Sequence, residues 1–165
     1  MKRKPSTKKY KMEQPRLEFA FEIRADVKGG KIQEVGATAK GLRRAVPIMG
    51  GTFEGPARKG AIVPGGYDWQ LVRTDGVIEI EARYLLKTDD GALITIVNTG
   101  LRHGTKEAME RMAKGEEVEP DEYYFRSIPV FETADPKYEW LTKHIFIANG
   151  IRKPELVLIQ VWKVL

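Results

Sequence analysis

Short runs of β-type residues, separated by turns rich in glycine and proline, follow one another along most of this chain. The clearest runs are Tyr67–Arg73, Val77–Leu86 and Ala92–Thr99, in which large apolar side chains alternate with polar or small ones. A period of two is typical of a strand that buries one face. Each turn between these runs contains an Asp-Gly pair, which favours a tight hairpin. The pattern therefore predicts an antiparallel sheet in which these three strands are neighbours.

The rest of the chain extends this pattern to about ten strands and one helix. Sixteen glycines and nine prolines punctuate the runs, as is typical of a β-sandwich or β-barrel. The helix is predicted over Thr105–Lys114, because Thr105 can cap its start, alanines and methionines form one apolar stripe, and Gly115 can end it. We expect this helix to plug or flank one end of a barrel. The predicted fold is all-β: a single antiparallel β-barrel of about 8–10 strands with one short helix, over residues 17–165.

The positive charge of the chain is concentrated before this domain. Residues 1–16 contain seven basic side chains and one acidic side chain, whereas the rest contains 21 basic and 22 acidic ones. We predict that residues 1–16 form a disordered basic tail, because they are polar and interrupted by proline. A near-neutral domain lacks the basic face that nucleic-acid binding requires, so no specific nucleic-acid partner is expected. Because no apolar run suits a membrane span or a secretory signal, we expect a cytoplasmic protein.

Several kinds of site are excluded by composition. The chain has no cysteine and only two histidines, His103 and His144. This excludes disulfides, thiolate metal sites and multi-histidine metal sites. Neither serine, Ser6 or Ser127, lies in the Gly-x-Ser-x-Gly turn of a serine hydrolase. We predict no metal and no cofactor.

The orientation of the mixed strand faces is the open question. On the run Val77–Leu86 one face is apolar, and the other carries Glu81 and Arg83. Such a face is solvated in a sandwich, whereas in a ligand-binding barrel it can line the lumen. Alternation alone does not separate the two arrangements. Lys87 is the only lysine between residues 66 and 100, and this scarcity favours an enclosed polar lumen.

Six separate segments resemble one known family. They are GGTFEGP (50–56), VPGGYDWQLVRTDG (63–76), EARYLLKTDDGALI (81–94), NTGLRHG (98–104), YYFRSIPVFET (123–133) and YEWL (138–141). In this order they are similar to the family called domain of unknown function 3237, or uncharacterised protein family 0311. The resemblance covers residues 17–165 and implies a compact antiparallel β-barrel, but no particular reaction. Glu81 stands where the family usually has aspartate, and Ile128 where a smaller residue is usual.

Carboxylate, guanidinium, phenol and amide side chains gather on strands that we expect to be neighbours. The candidate catalytic residues are Asp68, Glu81, Arg83 and His103. The candidate ligand-binding residues are Trp69, Tyr84, Asn98, Arg102, Tyr124 and Arg126.

The chemistry of these residues suits a small aromatic or carbonyl-bearing ligand. Asp68 or Glu81 would act as a general base, because a carboxylate in an apolar cavity has a raised pKa. Arg83 would hold a developing oxyanion, and Tyr84 or His103 would donate a proton.

The residues leave several functions open. The same groups could brace the barrel as a buried salt-bridge network, bind a small molecule without chemistry, or catalyse isomerisation, cyclisation or hydration without a cofactor. A competing class is a filled barrel that serves as a non-catalytic module and forms homo-oligomers through strand edges and apolar patches.

Overall fold

The computed structural model describes residues 12–165, and the predicted tail up to residue 11 lies outside this range. About 60% of residues 12–165 are strand and about 12% are helical, which confirms the all-β prediction. The strands are β1 Leu17–Asp26, β2 Gln33–Thr38, β3 Gly41–Ile48, β4 Gly50–Glu54, β5 Lys59–Val72, β6 Ile78–Thr88, β7 Leu93–Gly104, β8 Tyr123–Thr133, β9 Phe146–Arg152 and β10 Leu156–Val164. The helical elements are α1 Lys106–Ala113 and two short 3₁₀ helices, Pro120–Glu122 and Pro136–Thr142.

Eight of these strands close into an antiparallel barrel, in the order β5-β4-β1-β10-β9-β8-β7-β6, with β6 returning to β5. The predicted neighbours β5, β6 and β7 do form a meander. Strand β5 is long enough to pair with β4 near its start and with β3 over Gly66–Val72. Strands β3 and β2 therefore form an additional ribbon beside the barrel. No helix among residues 12–165 is long and apolar enough to cross a membrane.

The backbone ladder begins just before β1. The amide nitrogen and carbonyl oxygen of Arg16 both hydrogen-bond to Leu165, at 3.4 and 2.8 Å. These bonds continue the pairing of β1 with β10. Arg16, placed in the tail from its composition, is thus joined to the barrel in the structure.

One half of the barrel interior is filled with aromatic rings. Phe21 packs edge-on against Phe53 and Phe131, and Phe131 packs edge-on against Phe146, with ring centroids 5.3–5.8 Å apart. Such edge-to-face pairs add to the free energy gained by burying the rings. The 3₁₀ helix Pro136–Thr142 closes this end with buried side chains.

Helix α1 lies at the opposite end, as predicted. The hydroxyl of Thr105 accepts a hydrogen bond from the backbone N–H of Ala108 at 3.2 Å, so the predicted cap is present. Gly115 adopts a φ of 80°, which lets the chain leave the helix. Met109 and Met112 face the half of the interior that the aromatic rings do not fill. We call this the upper half, and the half with the aromatic rings the lower half.

Asp90, in the turn between β6 and β7, connects the 3₁₀ helix to the barrel. Its carboxylate accepts hydrogen bonds from Thr88 and Lys137, from the Tyr138 hydroxyl at 2.9 Å, and from Arg58 Nη2 at 3.0 Å. The hydrogen bond from Lys137, followed by that from Thr88, holds the pKa of Asp90 well below its usual range.

We expect Asp90→Asn to lower the melting temperature at pH 7, because the charged acceptor of these bonds is lost. A carboxyl group whose pKa is depressed by folding stabilises the protein above its unfolded pKa of about 3.9, and this contribution disappears as the pH falls through the folded pKa. The difference between the variant and the parent should therefore narrow as the pH falls below about 4. Thermal unfolding of the parent and of Asp90→Asn at pH 7 and pH 3 measures this difference in melting temperature.

Asp89→Asn is the matched control, since the Asp89 carboxylate contacts only Arg58 among these groups, at 3.6 Å. It should shift the melting temperature less than Asp90→Asn. Equal shifts, or a shift that does not change with pH, would contradict the role given to Asp90.

Candidate functional site

A cavity of about 150 Å³ lies in the upper half of the barrel, between the aromatic filling and α1. Its walls are largely apolar and include side chains from β3, β6, β8, β10 and α1. The charged and amide side chains in it come from four strands: Arg44, Asp68, Gln70, Asn98, Arg102 and Arg152. The cavity therefore combines an apolar lining with a few convergent polar groups, which is typical of small-molecule sites.

Strand pairing brings the central members of this set together. Asp68 on β5 stands opposite Ala82 on β6, and Ala82 stands opposite Asn98 on β7. Because inward side chains alternate along a strand, Gln70 and Arg102 also point to the interior. Ala82 is small, so the space between Asp68 and Asn98 stays open.

The carboxylate of Asp68 is held in place by two hydrogen bonds. Gln70 donates from Nε2 to Oδ2 at 2.7 Å, and the backbone N–H of Glu81 donates to Oδ1 at 3.2 Å. Arg44 in turn donates from Nε to Gln70 at 2.8 Å. Burial nevertheless raises the pKa of Asp68 above its usual value. The result is a fixed carboxylate that binds a proton more readily than an exposed one.

Arg102 and Asn98 are buried with polar atoms left unpaired. Their exposed fractions are 4% and 3%, and neither Arg102 Nε nor Asn98 Oδ1 has a hydrogen-bond partner among residues 12–165. Burial, followed by the nearby charge of Arg152, lowers the pKa of Arg102 to about 10. The guanidinium therefore stays charged at neutral pH.

The Arg102 guanidinium is positioned by a ring. Its Cζ lies 5.4 Å from the centroid of Phe125, within the range of a cation–π contact. Phe125 in turn lies against Gly150, where a Cβ would approach the ring to 2.5 Å. Glycine at 150 thus gives Phe125 the room to support Arg102.

Tyr84 also lines the cavity. Its ring is buried, and burial raises the pKa of its hydroxyl. The group is therefore a neutral phenol at physiological pH and is available as a hydrogen-bond donor.

Glu81 and Arg83 lie on the outside of the barrel, so the prediction that they face the lumen is wrong. Their side chains are 42% and 62% exposed, and Arg83 Nη2 contacts Glu81 Oε1 at 2.6 Å. The inward face of β6 is its apolar face, with Ile80, Ala82 and Tyr84. The polarity of the lumen comes from other strands instead.

Most of the remaining candidates line a second, open groove of about 950 Å³ on the outer face. It is formed by outward side chains of successive strands from β5 to β10, including Trp69, Glu81, Tyr124 and Arg126. His103 stacks on Tyr124, with centroids 4.9 Å apart. The ten predicted residues thus divide between two surfaces, with Asp68, Tyr84, Asn98 and Arg102 in the lumen and the other six outside.

The matching family model is described as a protein of unknown function, DUF3237, and covers residues 15–164. The chain belongs to the DUF3237 family. A UPF0311 protein of Clostridium acetobutylicum is 46% identical over 124 residues, which is 75% of this chain and 78% of that protein.

Two solved structures relate the fold to this family and beyond it. A conserved protein of unknown function from Rhodopseudomonas palustris is 36% identical, with a TM-score of 0.89 over 93% of this chain and all of that one. An enzyme from Penicillium herquei is 21% identical, with a TM-score of 0.67 over 94% of this chain and 98% of that one. The second likeness concerns the fold alone.

Three polar residues of the lumen in this DUF3237 barrel were missed from the sequence. Gln70 had a signal, since it shares a strand face with Asp68. Arg44 reaches the site through the pairing of β3 with β5, across 26 residues of sequence from Gln70. Arg152 lies at the end of β9. Long-range pairing of this kind leaves no local pattern.

Replacement of Arg102 distinguishes a ligand site from a structural brace. We expect Arg102→Met to leave the free energy of unfolding unchanged or raised, because it removes a buried charge that has no ion-pair partner. A guanidinium that braced the barrel through Asp68 would instead cost about 3–5 kcal/mol when removed. Urea unfolding followed by circular dichroism measures the difference.

Arg83→Met is the surface control, and it should change the free energy of unfolding by no more than about 1 kcal/mol. A large loss for Arg102→Met, beside a small one for Arg83→Met, would assign Arg102 a bracing role.

Proposed function

We propose that this DUF3237 barrel binds a small aromatic or carbonyl-bearing molecule in its lumen and carries out cofactor-free proton transfer on it. The observation that carries the proposal is the presence of Arg102 Nε and Asn98 Oδ1, buried and unpaired, in the same cavity as the buried carboxylate of Asp68. Buried polar atoms in folded proteins nearly always have a partner. A ligand with an acceptor for Arg102 and a donor for Asn98 would provide both.

The cavity volume limits the size of this ligand. An apolar cavity of about 150 Å³ holds a molecule such as benzene. The lumen, at about 150 Å³, therefore suits a single ring or a chain of similar size. Larger ligands would need α1 to move, since Met109 and Met112 lie at the boundary of the cavity.

The polar groups support a proton-transfer mechanism. Asp68 would take a proton from the carbon next to a carbonyl group, and the electron pair would move onto the carbonyl oxygen. Arg102 would stabilise that oxyanion, since preorganised charge in a dry site favours such a state. If the Asp68 carboxyl exchanges its proton with solvent before giving it back to the same carbon, the result is hydrogen exchange. In a conjugated ligand Asp68 would instead give the proton to the far carbon of the extended enolate, and the result is isomerisation. Tyr84 would donate a hydrogen bond to the ligand.

The Penicillium herquei enzyme has the same fold, so a barrel of this shape is compatible with catalysis. Fold alone does not transfer activity, so the proposal rests on the cavity residues of this chain.

We expect one-ring aryl ketones, phenols and small 2-oxo acids to raise the melting temperature of the protein. A ligand present at about 100 times its Kd adds about 2.7 kcal/mol to the free energy of unfolding. Among compounds that bind, solvent deuterium should enter at the carbon next to the carbonyl group, as observed by NMR.

Asp68→Asn should abolish this exchange and leave binding measurable, because asparagine keeps the shape and loses the base. The rate should rise with pH through a value above the usual aspartate pKa of about 3.9, as the raised pKa of Asp68 requires. Exchange that persists in Asp68→Asn would reject the catalytic role, and no binding across the panel would reject the ligand site.

A second candidate function, self-association, is favoured by the outer groove. Its lining includes the exposed side chains of Trp69, Leu101, Ile128 and Ile147. A contiguous group of exposed apolar side chains is a feature of many interaction sites. The groove also carries both signs of charge, so two copies related by a two-fold axis could pair opposite charges.

We expect the protein to form a homodimer through this groove and Ile128→Lys to convert it to a monomer, because a lysine there would place a charge in the interface. Val35→Lys is the control, since Val35 is also exposed (63%, against 55% for Ile128) but lies on β2, outside the groove. Light scattering after size exclusion measures the mass. A monomeric parent protein, or a dimer that survives Ile128→Lys, would contradict this interface.

A further inference from the structure

Three arginines reach the lumen from three different strands. Arg44 comes from β3, Arg102 from β7 and Arg152 from β9, and all three line the same cavity. The only carboxylate among the residues that line this cavity is Asp68. The described lumen thus has three positive groups and one negative group.

Within the described part of the chain, no direct ion pair compensates the excess positive charge, and the Asp68 carboxylate offsets only part of it, by counteracting the fall in the pKa of Arg102 and of Arg152 that burial causes. None of the three guanidinium groups forms an ion pair with a carboxylate among residues 12–165. Arg44 uses its Nε on the neutral amide of Gln70, whereas Arg102 Nε and Arg152 Nη1 are buried without a partner. A buried unpaired charge is costly, and an apolar side chain of similar volume would serve packing better.

The arginines also repel one another. After burial itself, the largest influence that lowers the pKa of Arg102 is the charge of Arg152, and for Arg152 it is the charge of Arg44. Like charges held together in a poorly solvated cavity favour binding of a counter-charge. A ligand that brought one negative charge would reduce both the repulsion and the number of unpaired donors.

We propose that the ligand of this lumen is an organic monoanion of one-ring size, a carboxylate, held by Arg102 with help from Arg44 and Arg152. The inference rests on the lumen site proposed above and adds the charge of its ligand. The planar fork of a guanidinium matches the two oxygens of a carboxylate. The body of the ligand is organic because the rest of the wall is apolar, with Ile78, Ile80 and Phe125 among its side chains.

Pairs of compounds that are matched in shape and differ in charge test this directly. Benzoate and benzamide have the same shape and differ in charge, as do 4-hydroxybenzoate and 4-hydroxybenzamide, and cyclohexanecarboxylate and its amide. Titration calorimetry with the full-length protein at neutral pH measures each affinity. We expect at least one carboxylate to bind about tenfold or more tightly than its amide.

Variants of the arginines locate the effect. Arg102→Met should remove the preference for the carboxylate, and Arg102→Lys should restore part of it, because lysine keeps the charge and loses the planar fork. Arg126→Met is the matched control, since Arg126 lies in the outer groove, and it should leave the preference unchanged. If Arg102→Met does not fold, Arg44→Met provides the second test and should weaken the preference.

The outcomes separate this inference from the function on which it rests. Amides that bind as tightly as their carboxylates would overturn the anionic ligand and leave the lumen site in place. Inorganic phosphate that displaces every carboxylate at equal concentration would overturn the organic part. A preference that survives in both Arg102→Met and Arg44→Met would place the anion elsewhere. No binding by these pairs or by the neutral carbonyl compounds would overturn both proposals.

Discussion

Closure of the sheet between β5 and β6 determines which side chains reach the interior of this protein. Once the two strands pair, every strand of the barrel has one inward and one outward face. Because side chains alternate along a strand, each of them points either into the lumen or to the outside. On β6 the apolar face turns inward, whereas on β5 the inward face is the one that carries Asp68 and Gln70. The lumen is therefore built from an apolar wall on one side of the closing pair and a polar wall on the other.

The two halves of the interior differ in their packing and in whether their buried polar atoms have hydrogen-bond partners. In the lower half, Phe21, Phe131 and Phe146 fill the space and Asp90 fastens the 3₁₀ helix that closes it. In the upper half, Arg102 and Asn98 retain buried atoms without partners. A fold can tolerate a few such groups because the rest of its core is well packed, and departures of this kind are expected at functional sites. The well-packed aromatic core and the proposed ligand site thus lie at opposite ends of one barrel.

Local patterns in the sequence predict the parts of this structure that depend on neighbours in the chain. The meander of β5, β6 and β7 follows from alternation and Asp-Gly turns, and the cap at Thr105 is present as predicted. The direction of a mixed face is a property of the closed barrel, and alternation therefore does not reveal that Glu81 and Arg83 lie outside. Arg44 could not be found in this way, because only the pairing of distant strands brings it to Gln70.

Glu81 connects the lumen with the outer groove. Its backbone N–H donates to the Asp68 carboxylate inside the barrel, while its side chain lines the groove and pairs with Arg83 outside. The backbone bond does not depend on the length of the side chain, so the choice between glutamate and aspartate at position 81 leaves the support of Asp68 unchanged. A molecule that bound in the groove would contact the residue whose backbone orients the buried carboxylate. The lumen and the outer groove differ in their chemistry, and at Glu81 they lie on the two faces of the same strand, β6.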